Sequence, residues 1–89
     1  MQIKKDFTIQ QVGASYVAVP VGQTSRELHI MVHLNESGAF LWKKMAAKDC
    51  SEDELVDALL AEYEGVDRET AAKDVHQLVE LLREKEIFA

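Results

Sequence analysis

The side chains with the reactivity to do chemistry are few in this chain: three histidines, one cysteine and some short acidic clusters. His29 and His33 stand four apart in the alternating stretch LHIMVHL, which puts both on one face of a strand. At the rise of a strand they lie about 13 Å apart. A metal ion holds its ligands near ~2 Å, so the two cannot share one. His76 belongs to the polar side of a later amphipathic segment, and surface histidines are the simpler account of all three. On a strand edge, His29 and His33 would instead flank a docked peptide or respond to pH.

Cys50, in AKDCSEDE, has no His or Asp at a spacing that would activate a thiolate. As the only cysteine it forms no internal disulfide, which fits a reducing cytoplasm. SEDE and REKE fall where helix ends are expected and read as caps and solvated faces. The sequence holds no Gly-rich phosphate loop and no paired carboxylates in an apolar setting. No enzymatic activity, metal or cofactor is expected, which leaves shape, edges and grooves to carry function.

The composition narrows the partners. Eighty-nine residues, 47% of them hydrophobic, make one domain spanning 1–89 with a core that is adequate but not generous. A net charge of −6 and a pI near 4.9 argue against nucleic acid and against an anionic membrane surface. MQIKKDFTIQQV has lysines without a following apolar run, so it is not read as a signal peptide. No stretch approaches the roughly 20 apolar residues of a membrane span.

The elements that must position any groove are legible from periodicity. FTIQQV alternates, Gly13-Ala14-Ser15 supplies a turn, and YVAVPV follows, which together predict a hairpin. Pro20 cannot donate to a ladder and belongs at an edge or a strand end. After the polar loop GQTSRE, LHIMVHL predicts a third strand. It directs Leu28, Ile30, Val32 and Leu34 to the core and His29, Met31 and His33 to the other face. At Asn35 the period changes from two to about 3.6. Asn is a good N-cap, so one residue both ends the strand and starts a helix, fixing the direction of one relative to the other.

Gly38, Leu41, Trp42 and Met45 then form the buried stripe of the first helix, with Phe40 on a flank. Ser51 and Glu54 form a capping box for a second helix, which carries Leu55, Val56, Leu59, Leu60 and Tyr63 and stops near Gly65. Asp67 caps a third helix running to about Lys85. Strands segregated from helices in the order β-β-β-α-α-α predict an α+β fold, with three helices on one face of an antiparallel sheet.

The third helix has more apolar surface than docking requires. Ala71, Val75, Leu78 and Leu82 make the expected core stripe. Ala72 and Val79 widen it on one flank and Leu81 on the other, to an arc of roughly 180° where ~100° suffices. Either the helix is central, or one flank borders a groove beside the third strand. An exposed strand edge next to such a groove invites strand addition by an extended peptide.

MVHLNESGAFLW, followed by SEDELVDALLAEY and VDRETAAKDVHQLVELLREKEIF, resembles the PqqD-like proteins over most of the chain, from about Phe7 to Phe88. The most specific piece is the run from Val32 to Gly38 ending in Leu41-Trp42. The resemblance implies a winged-helix-like domain that recognises ribosomally made, post-translationally modified peptides. The leader of the precursor would add along the third strand beside the third helix and be presented to a modifying enzyme, often a radical S-adenosylmethionine enzyme. SRELHI stands where the quinone-pathway branch often has a Pro-Glu-Gly turn, so the expected cargo is the precursor of another modified peptide.

Carried onto this sequence, the backbone of Leu28, His29, Ile30, Met31, Val32, His33 and Leu34 would pair with the leader. Ile30 and Val32, with Val75, Leu78, Val79 and Leu82, would line the groove. Arg83 or Lys85 would meet acidic leader residues at its rim. The chain would act as a monomer or a dimer in the cytoplasm. The rival reading is a winged-helix DNA-binding regulator, whose basic cluster would be Lys4, Lys5, Lys43, Lys44 and Lys48; the acidic balance opposes it. A third reading is a structural subunit that dimerises through the strand edge.

Overall fold

The computed structural model describes residues 1–4, 6–22 and 30–89. Strand β1 (Phe7–Val12) pairs antiparallel with β2 (Ser15–Pro20), and β2 pairs antiparallel with β3 (Val32–Leu34). Three helices follow: α1 (Glu36–Ala47), α2 (Glu52–Glu62) and α3 (Arg68–Glu84). This is the expected α+β order.

The hairpin register sets Val12 opposite Ser15, leaving Gly13 and Ala14 as a two-residue loop. Gly13 has φ +63° and takes the first loop position, where a II′ turn needs a residue free to adopt positive φ. Pro20 is the last residue of β2, where the ladder loses nothing for want of its N–H. The third strand is shorter than its alternation predicts. Its ladder begins at Val32, with Ile30 and Met31 outside it. Leu28, His29 and most of the GQTSRE loop lie outside the described residues.

The cap residues behave as their side-chain chemistry requires. Asn35 Oδ1 accepts from the Gly38 amide at 2.8 Å, and Asn35 O accepts the first helical bond from Ala39 at 2.9 Å. The capping box at Ser51 and Glu54 closes in both directions, each bond 3.1 Å. Asp67 accepts from the Thr70 amide at 2.7 Å. These bonds satisfy donors that a helix's first turn would otherwise leave open. The same bonds hold the carboxyls of Glu54 and Asp67 below the ordinary carboxylate range; at Glu54, the bond to Ser51 leads and Lys48 adds to it.

The core lies between one face of the sheet and the helices. Ala18, Val32 and Leu34 meet Leu41, Trp42 and Met45 of α1, Leu55, Val56 and Leu59 of α2, and Ala71, Val75, Val79 and Leu82 of α3. Trp42 is buried as expected, with Phe7 edge-on to it at 5.5 Å between ring centroids. Glu52 with His76, and Asp57 with Arg68, bridge α2 and α3; their sequence order makes the two helices antiparallel. The periodicity gave no hint of a further feature. Met1–Lys4 lies between the end of α1 and the chain's last residues. Ile3 N donates to Met45 O, Lys4 N to Ile87 O and Ala89 N to Gln2 O. Ile3 and Ile87 are thereby fully buried core residues.

Candidate functional site

Among the described residues the sheet order is β1-β2-β3, which makes β3 an edge strand with β2 on one side. Its short ladder leads directly into Asn35 and α1, so the edge is held at a fixed angle to that helix. Val32 and Leu34 turn inward and are buried, while His33 and Met31 are exposed, Met31 at 57%. The alternation expected from the sequence therefore holds from Met31 to Leu34. What β3 offers on its outer side is main chain, together with the exposed side chains of His33 and of Met31 just before it.

Beside the end of β3 lies a recess of about 320 Å³. Its wall on the α3 side is Asp74, Gln77, Leu78 and Leu81, one stripe at helical spacing. Its other walls are His33 and Leu34 of β3, Asn35, and Ser37, Gly38 and Leu41 of α1. Gly38 is required here by close approach. A Cβ on it would stand 3.0 Å from Asn35 Oδ1 and 3.4 Å from Leu34 Cδ2, crowding the cap that joins strand to helix. A second recess adjoins, formed by Asn35, Glu36, Ser37, Leu59, Tyr63, Val66 and Asp74. Burial first, then the Glu36 and Glu62 carboxylates, hold the Tyr63 phenol above its ordinary value, so it remains a neutral hydroxyl at physiological pH.

The positions expected to line a groove divide into two groups. Leu78, His33 and Leu34 do border the recess. Val32, 1% exposed, and Val75, Val79 and Leu82, each 0% exposed, lie in the core and present no surface to a guest, and Ile30, partly buried, borders neither recess. The open flank of α3 is the one carrying Leu81, 40% exposed, about 200° around the helix from Val79. The sequence placed apolar residues on both flanks, Ala72 and Val79 on one and Leu81 on the other, and only packing against the sheet and the other helices separates Val79 from Leu81. Arg83 does not border the recess. Its guanidinium pairs with Glu80 at 2.7 Å and reaches Met1 Sδ at 3.7 Å. Lys85 is the C-cap of α3 and lines neither recess.

Among the described residues no group of three His, Cys, Asp or Glu side chains could hold a metal ion, and no helix is long and apolar enough to cross a membrane. Cys50 is buried, with its Sγ within 3.5 Å of Lys48 O. His76 lies against Glu52 at 3.0 Å.

Two solved structures share this fold. TbiB1 in complex with the TbiA(beta) leader peptide matches with a TM-score of 0.70 at 26% identity, covering 98% of this chain and 93% of that one. A lasso peptide synthetase B1 complexed with the leader peptide matches with a TM-score of 0.65 at 23% identity, covering 93% and 89%. No curated protein sequence matches significantly. The family model described as coenzyme PQQ synthesis protein D (PqqD) matches residues 15–87, a span that takes in the edge strand, all three helices and both recesses. The chain belongs to the PqqD family.

Proposed function

We propose that this chain is a non-enzymatic adaptor that binds the leader segment of a ribosomally made precursor peptide. The leader adds as a further strand along β3 and is presented to a modifying enzyme. The observation that carries this reading is the edge strand β3 standing beside a recess walled by Leu78 and Leu81. An extended guest there gains main-chain hydrogen bonds from the edge, and alternate side chains fall toward α3. Support also comes from the two structures of the same fold, both of which hold leader peptides. An enzyme of the radical S-adenosylmethionine class, acting in the cytoplasm, is the partner that best suits the family. The DNA-binding reading finds no support in these likenesses. One well-packed strand fits an affinity between micromolar and nanomolar, about −8 to −12 kcal/mol.

A phage-displayed library of random linear peptides, panned on the full chain, supplies ligands whatever the sequence of the natural leader. Binders are then titrated while backbone amide NMR signals are followed. The expected result is that Met31–Leu34 shift or broaden first, together with Leu78 and Leu81. Shifts confined to the far hairpin edge at β1 or to α2 would refute strand addition at β3. Sedimentation of the unliganded chain tests the dimer alternative, since a constitutive dimer through β3 would leave no edge for a peptide.

A further inference from the structure

The two adjoining recesses share Asn35, Ser37 and Asp74. Among the described residues, their carboxylates are Asp74 in both and Glu36 in the second, neither recess is lined by a Lys or Arg, and His33 borders the first. The nearest basic residues of α1 are directed elsewhere. Lys43 lies over the Tyr16 ring at 6.0 Å, and Lys44 over the Phe40 ring at 5.3 Å. On α3, Arg68 is paired with Asp57 and Arg83 with Glu80, and Lys73 lines neither recess. Among the described residues, none of these ion pairs involves Asp74. It lies on the same helical stripe as Gln77, Leu78 and Leu81, so a long side chain lying over the two leucines would bring its end to the carboxylate.

We propose that the recess at the Asn35 end of β3 takes a basic side chain of the leader, a Lys or Arg whose stem covers Leu78 and Leu81 and whose charged end pairs with Asp74. This rests on the reading of the β3 edge as the leader site and adds the sign of its specificity. Apolar walls with a carboxylate at the end complement an aliphatic stem carrying a cation. Ser37 Oγ and Gln77 Oε1, lining the same recess, can accept from the remaining N–H groups, while Asn35 Oδ1 is held by the Gly38 amide and the Ser37 hydroxyl. The chain's net charge of −6 favours the approach of such a peptide. The polarity is the reverse of that expected from the sequence, where Arg83 or Lys85 would meet acidic leader residues.

The test repeats the random-peptide selection on the wild-type chain, on Asp74→Asn and on Asp74→Lys, with thermal melts to confirm that each variant folds. Wild-type binders that shift the β3 amides should share a Lys or Arg at one fixed position. Those peptides should bind Asp74→Asn about tenfold more weakly. Selection on Asp74→Lys should return Asp or Glu at that position. Binders that shift β3 but share no basic residue, or that are indifferent to Asp74→Asn, overturn the proposal and leave the leader site standing. If no binder shifts β3, both fall together.

Discussion

Leu81→Ala separates the open flank of α3 from the buried one. Leu81 is 40% exposed, whereas Val79 is 0% exposed. Covering a whole leucine is worth about 1.5–3 kcal/mol, so the uncovered four-tenths that a bound peptide would close off is worth about 0.6–1.2 kcal/mol. Truncation to alanine should therefore weaken a β3-binding peptide about threefold to eightfold. The part of Leu81 already packed is worth about 1–2 kcal/mol of stability. A domain of this size has roughly 4–13 kcal/mol in reserve, so the variant stays folded. Val79→Asp behaves differently. It leaves an unpaired carboxylate in the core at a cost of about 3–5 kcal/mol and should shift the denaturation midpoint far more than Leu81→Ala. Urea denaturation and calorimetric titration with a selected peptide measure both quantities. A Val79→Asp protein of near-normal stability that has lost binding, beside a Leu81→Ala protein that has kept it, would refute this placement of the groove.

Asn35→Ala removes the acceptor for the Gly38 amide and should lower stability by about 1 kcal/mol, seen as a drop of roughly 4–8 °C in Tm, while Asn35→Asp should be nearly neutral. Glu86 closes α3 with φ +58°; its amide bonds Arg83 O, and that of Ile87 bonds Leu82 O, a Schellman arrangement built on a residue other than glycine. Glu86→Gly relieves that conformation and should raise stability by about 1 kcal/mol in the same melts. The depressed carboxyls of Glu54 and Asp67 set a pH dependence of known sign. Their contribution is complete above the ordinary carboxylate range and is lost as pH falls through their lower folded values. Asp67→Asn should therefore flatten the acid limb of a stability–pH curve, and an unchanged limb would show that the Thr70 contact carries no linkage.

The parts of this fold that could be read from sequence are those governed by local rules. Asn35, Ser51 with Glu54, and Asp67 are caps because of what their own side chains can accept, and the helix starts follow directly. Inward Val32 and Leu34 follow from period two. The groove could be located only to the neighbourhood of the third strand and third helix. Which flank of α3 faces outward depends on where α2 and the sheet press against it, and Val79 and Leu81 are chemically too alike to disclose that. Asp74 drew no notice in the sequence, since nothing in its neighbours along the chain marks the recess. Ile3 and Ile87 belong to no periodic segment, and their burial comes from a pairing across almost the whole sequence.

The pairing of Ile3 with the segment around Ile87 and Phe88 governs how the chain acquires its structure. The β1–β2 hairpin and the helices can form from near neighbours, but the bonds of Ile3 and Lys4 to Met45 and Ile87 close long loops before they bring any return. During synthesis Ile3 emerges well before either of its partners, first Met45 at the end of α1 and later the segment around Ile87. The burial of Ile3 is therefore completed in two stages, against α1 and then against the segment around Ile87 and Phe88.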